Sequence, residues 1–176
     1  MILNGFLLDT CTISALRYQK HSLHQTAQKW RNSCPEESLH ISAVTIAELA
    51  TGIHLAQMAS SGGFQGEPEK EIQRFVSNCE VIGVDQGTSK IYGRVRAELF
   101  QRHGPKDSRG KIKNRWVEDL RDFTVSKPLG IQDSDLWIVC TAVQYNLVFV
   151  TLDLGGGMRN IVAAARYNKS TLFLQA

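Results

Sequence analysis

Short apolar runs alternate with segments whose apolar residues recur every three or four positions, and the alternation persists along the chain. The extended runs are Leu3 to Leu8, Leu39 to Val44, Val81 to Val84, Leu147 to Val150 and Thr171 to Leu174. Helical spacing marks Thr26 to Asn32, Thr45 to Met58, Glu69 to Asn78, Thr88 to Arg102, Ser134 to Tyr145 and Arg159 to Tyr167, and another helix opens just after Asp9. Within Thr45 to Met58, Ile46, Leu49, Ala50 and Ile53 form a core-facing stripe that leaves Glu48 outside it. Leu136 to Cys140 are apolar without a break, which predicts a helix buried on most sides. Strands that alternate with helices predict an α/β fold, a mostly parallel sheet with helices on both faces.

Two stretches interrupt the pattern. "SSGGFQGEP", Ser60 to Pro68, is glycine-rich and polar, and Gly104 to Lys113 is basic with two glycines and one proline; both predict loops. Residues 116–123 predict a short helix. Neither break is long enough to divide the chain, so its 176 residues, 1–176, are expected to form a single domain.

Composition narrows the function classes. An apolar fraction of 43% supports a core and argues against disorder. No apolar run reaches membrane-spanning length, and the first residues lack a signal-peptide pattern, so a cytoplasmic protein without a membrane partner is expected. Cys11, Cys34, Cys79 and Cys140 have no C-x-x-C or zinc-finger spacing and read as reduced thiols. His21 and His24 read as a solvated helix face rather than a metal site. Net charge is only +3, which permits a nucleic-acid partner without arguing for one. Basic residues concentrate between Arg102 and Arg115, against the single acid Asp107. Arg109, Lys111, Lys113 and Arg115 are the candidate phosphate contacts there, although such runs are usually plain solvated loops. Trp116 could stack on a base, but packing against the body is the favoured expectation.

The acids carry the chemistry. In a parallel sheet, ligands bind beyond the carboxyl ends of the strands, where strand order switches direction. Asp9 directly follows the first strand, Asp153 follows the fourth, Glu48 comes early in the helix after the second, and Asp133 and Asp135 open the helix before the fourth. Gathered at one edge, these carboxylates would repel one another unless a hard cation such as Mg2+ or Mn2+ held them together. Each has a plainer role too: Asp9 as a helix cap, Glu48 as a solvated helix residue, Asp133 as the favoured cap of the helix carrying Asp135, and Asp153 as a turn residue.

These residues are where a resemblance enters. "FLLDTCTISAL", "ISAVTIAELATGI", "IQDSDLWIVCTAVQYNLVFVT" and "TLD" resemble, in order, the motifs of PIN-domain ribonucleases, especially VapC-type toxins of toxin–antitoxin pairs. Each motif is weak alone; the ordered set is strong. The resemblance implies a three-layer α/β/α sandwich, Mg2+- or Mn2+-dependent cleavage of RNA, an antitoxin partner and a possible homodimer. It assigns the metal-site acids to Asp9, Glu48 and Asp135, with Asp153 as a more variable fourth. Thr10, Thr45, Asp133 and Thr151 are candidates for orienting those acids. The chain departs from the family in Cys11, where Asn is common, in "DLGGGMRN" after the fourth acid, and in its greater length. The alternatives are a catalytically idle RNA- or partner-binding module of the same fold, and a haloacid-dehalogenase-type phosphatase, which would want a second Asp at the position of Cys11.

Overall fold

The computed structural model describes residues 4–34, 38–59, 67–113, 116–122 and 124–175. Its strands are short, three or four residues each. In β1 (Phe6–Leu8), Leu7 and Leu8 are both fully buried, yet they enter different apolar clusters, as opposite faces of a strand must. Phe149 and Val150 of β4 (Val148–Thr151) divide in the same way.

The other strands are β2 (Leu39–Ser42), β3 (Glu80–Ile82) and β5 (Thr171–Phe173). All five pair in parallel in the order β3-β2-β1-β4-β5. The chain therefore moves outward from β1 to β3, then returns to build β4 and β5 on the other side of β1. The switch point lies between β1 and β4. Helices α1 (Thr10–Arg17), α2 (His24–Ser33), α3 (Ala43–Ala59) and α4 (Glu67–Val76) follow the first two strands. Residues of α1 to α4 pack into the cluster that holds Leu8 and Val150. Helices α5 (Gln86–His103), α6 (Asp133–Tyr145) and α7 (Gly156–Ala165) supply the cluster with Leu7 and Phe149. Helices thus cover both faces, and the expected α/β architecture holds.

The elements match the hydrophobic pattern, but β1 starts three residues later than expected, β2 and β5 end one or two residues early, β3 and β4 are shifted, α2, α3 and α5 are slightly longer, and α4 and α7 begin two or three residues earlier. Residues 60–66 of the glycine-rich stretch lie outside the described residues. The short helix expected over 116–123 is only a 3-10 turn, Val117–Asp119. Trp116 beside it is 74% exposed, so the expected packing against the body is wrong. Val117 and Leu120 take the buried places instead. Among the described residues, no helix is long and apolar enough to cross a membrane.

The adjacent glycines 156 and 157 differ in their surroundings. A Cβ on Gly157 would meet the Gly130 carbonyl oxygen at 2.2 Å, because α7 packs directly on that loop, whereas one on Gly156 would meet nothing closer than 3.9 Å. Gly157→Ala should therefore destabilise the fold by about 2 kcal/mol through overpacking, and Gly156→Ala should stay within about 0.5 kcal/mol of wild type. Thermal or urea unfolding of the two variants distinguishes them; equal effects would contradict this packing.

Candidate active site: an acid-lined cleft at the carboxyl edge of the sheet

Parallel pairing aligns Leu8 with Val150, so the residues just beyond, Asp9 and Thr151, lie side by side at the switch point. Asp9 is 3% exposed. A buried carboxylate is costly unless its oxygens are hydrogen-bonded, and those of Asp9 are. Oδ1 accepts from the Thr12 amide at 2.7 Å, which makes Asp9 the N-cap of α1. Oδ2 accepts from the Cys11 thiol at 2.9 Å and from the Thr151 hydroxyl. Burial pushes the Asp9 pKa up, while these bonds pull against it. Burial and the neighbouring Asp9 charge together raise the Cys11 pKa far above the usual thiol range, so the thiol stays protonated and acts as a donor. Cys11 thus keeps a polar contact with the acid.

The remaining acids face the same space. A cleft of about 500 Å³ is lined by Asp9, Glu48, Asp135 and Asp153. Glu48, on the second turn of α3, accepts a hydrogen bond from the Thr10 hydroxyl on α1. Asp153 receives no direct help from Thr151; instead its backbone amide donates to Thr151 Oγ1 at 2.9 Å, and its Oδ1 accepts from the Gly155 amide at 2.7 Å. It is a turn residue and a cleft acid at once. Asp135 sits in the first turn of α6. Its pKa is raised to about 7, first by burial and then by the charges of Glu48, Asp9 and Asp153. The acids are therefore close enough to feel one another.

Two expected roles are corrected. Asp133 is not the cap of α6: Gln132 takes that position with extended backbone, and Asp133 is already the first helical residue. The Asp133 carboxylate instead accepts from Tyr92 Oη of α5 at 2.6 Å, and the Tyr92 ring stacks on Trp137 at 3.8 Å between centroids. Among the described residues, Thr45 contacts no acid. It is paired with Ser42, whose Oγ accepts from the Thr45 amide at 2.9 Å and lies 2.8 Å from its hydroxyl. Thr10 donates to Glu48 and Thr151 to Asp9.

Ser14, His21 and Gln132 also line the cleft, and sequence reasoning missed all three. Ser14 was legible, because it lies one helical turn after Thr10. Arg109, Lys111 and Lys113 project from a hairpin closed by the Lys106–Ile112 bridge, where Asp107 Oδ1 accepts from the amides of Arg109 and Lys111 at 2.8 Å. All three side chains are exposed, and none lines the cleft. Arg115 lies outside the described residues.

Among the described residues, no three His, Cys, Asp or Glu side chains form a ready-made metal cage. An open set of carboxylates suits magnesium nevertheless, because that ion keeps several waters and takes only one or two protein carboxylates directly.

A carboxylate-lined cleft at the switch point of a five-stranded parallel sheet defines a class of acid-cluster α/β domains. Within it, the chain belongs to the PIN-domain family, whose model matches residues 6–163. No curated protein matches significantly. Similar solved structures include VapBC2 from Rickettsia felis bound to a promoter DNA fragment, with 19% identity, TM-score 0.55, and 85% of this chain and 88% of that chain covered. FitAcB from Neisseria gonorrhoeae has 20% identity and TM-score 0.56, covering 89% and 92%. A toxin–antitoxin complex from Klebsiella pneumoniae has 14% identity and TM-score 0.56, covering 96% of each chain. At these identities the likeness establishes the fold.

The raised pKa of Asp135 has a signed consequence. Between its ordinary value of 3.8 and about 7, the folded chain keeps a proton that the unfolded chain has lost, so stability falls as pH rises through that window. With a chelator present, Asp135→Asn should melt several degrees above wild type at pH 8, and the gap should close towards pH 4. A gap that does not change with pH would contradict the electrostatic picture.

Proposed function

We propose that this chain is a Mg2+- or Mn2+-dependent endoribonuclease and the toxin of a toxin–antitoxin pair. The observation that carries the reading is the convergence of Asp9, Glu48, Asp135 and Asp153, from four separate parts of the sequence, on one cleft. Asp9, Glu48 and Asp135 would hold the cation, with Asp153 completing the set. A divalent ion in such a site offsets the repulsion between the acids, lowers the pKa of water and takes up charge that develops on a phosphate.

The chain supplies the positioning. Asp9 cannot swing away, because the Thr12 amide, the Cys11 thiol and the Thr151 hydroxyl hold both its oxygens. Thr10 fixes Glu48, and the Gly155 amide fixes Asp153. Water is the attacking group in such a site, so the products carry a 3′-hydroxyl and a 5′-phosphate. The exposed Arg109, Lys111 and Lys113 are suited to hold the RNA backbone away from the cleft. An antitoxin protein is the natural partner, since the structural relatives are VapBC, FitAB and toxin–antitoxin complexes. A homodimer, a single domain over the whole chain and a cytoplasmic location complete the proposal.

Brief expression followed by sequencing of cellular RNA ends tests this directly. New 5′-phosphate ends should appear with the wild-type chain and be absent with Asp9→Asn. With purified protein, Asp9→Asn, Glu48→Gln and Asp135→Asn should each lower cleavage at least about a hundredfold, more than the loss of an outer-shell partner, while keeping the fold. Any one of them cleaving at the wild-type rate would remove that residue from the site. Asp153→Asn should lower cleavage about tenfold. Asp133→Asn should leave cleavage nearly intact and weaken stability by about 1 kcal/mol through its bond to Tyr92; the reverse ranking of these two would mean that the fourth acid is Asp133.

A further inference from the structure

We propose that His21 is a substrate-binding residue of this cleft, donating its Nε2–H to a phosphodiester oxygen of the RNA. The inference rests on the nuclease reading and adds a residue to it. Four carboxylates line the cleft, and the side chains there with a proton to direct at a ligand are Ser14, Gln132 and His21. Thr10 gives its hydroxyl proton to Glu48, and Cys11 gives its thiol proton to Asp9. A polyanion entering among these acids needs protons directed at it from elsewhere in the wall.

His21 lines the cleft, and its surroundings choose its tautomer. The Leu23 amide, at the cap of α2, donates to His21 Nδ1 at 3.1 Å. Nδ1 is therefore an acceptor, and the proton of the neutral ring sits on Nε2. Nε2 has no partner among the described residues. The ring is half-buried, and the backbone is tied on both sides: the His21 amide donates to the Tyr18 carbonyl at 2.8 Å, and the His24 amide donates to the His21 carbonyl at 2.9 Å. His24 plays no comparable part, because its Nδ1 is bonded to the Ala15 carbonyl at 2.8 Å.

The test separates the two nitrogens. Asn at position 21 keeps an acceptor near Nδ1 and loses the distal donor; Gln places an amide N–H near the Nε2 position. Binding of a short single-stranded oligoribonucleotide is measured by fluorescence anisotropy in magnesium, in an Asp9→Asn background that prevents cleavage. His21→Asn should weaken binding about tenfold, the worth of one hydrogen bond to a charged group, with an unchanged Tm. His21→Gln should recover most of the loss. In the cleaving chain, His21→Asn should act mainly through KM. Binding by His21→Asn within twofold of the parent would overturn the inference, as would a His21→Gln variant that binds no better than His21→Asn. If the wild-type chain cleaves no RNA while the His21 pattern in binding holds, the nuclease reading falls and the phosphate-binding role stands. If cleavage proceeds and His21→Asn matches wild type in KM, the role of His21 falls alone.

Discussion

The pairing of β1 with β4 is the constraint from which the site follows. Because Leu8 lies opposite Val150, the next residues of the two strands are neighbours, and the Thr151 hydroxyl reaches Asp9. The same register lets the Asp9 amide donate to the Val150 carbonyl at 3.2 Å. Asp9 then leaves the sheet in the conformation that caps α1, and α1 in turn brings Thr10 to Glu48. One parallel register thus places three acids: Asp9 directly, Glu48 through α1, and Asp153 through the amide that bonds Thr151.

Against this ordering works the repulsion it creates. Each hydrogen bond to Asp9 favours its charged form, while burial and the neighbouring carboxylates push Asp135 towards neutrality. A chain selected for stability alone would replace one of these acids with a neutral residue. Keeping them together leaves a repulsion in the apo protein that a bound cation would offset. Asp133 and Tyr92 act on the far side of the same helix start, where their bond and the Tyr92–Trp137 stack join α5 to α6.

Much of this was legible because periodicity is a property of whole segments. Apolar alternation located every strand and nearly every helix, and the acids stood out because each followed a strand or opened a helix. What failed depends on single residues. Moving a helix start by one position made Asp133 a helical residue and Gln132 the cap. Thr45 had an equally good local partner in Ser42. Trp116 lies exposed because Val117 and Leu120 fill the apolar places beside it, a choice composition does not encode. Cys11 retained a polar role because a thiol beside a buried carboxylate can still donate. His21 reaches the cleft from a turn after α1, and no spacing rule ties a turn residue to an acid twelve positions earlier.

The central claim is that these carboxylates share one divalent ion. Calorimetric titration of manganese into the purified chain near pH 6, in two buffers of different ionisation enthalpy, tests it most directly. At that pH Asp135, with its pKa near 7, is largely protonated and must lose its proton to bind the ion. The account predicts binding by the wild-type chain with release of about one proton per ion, and loss of both the binding and the proton in Asp135→Asn. Binding by Asp135→Asn with undiminished affinity and the same proton release, or no binding by the wild-type chain at millimolar manganese, would contradict it.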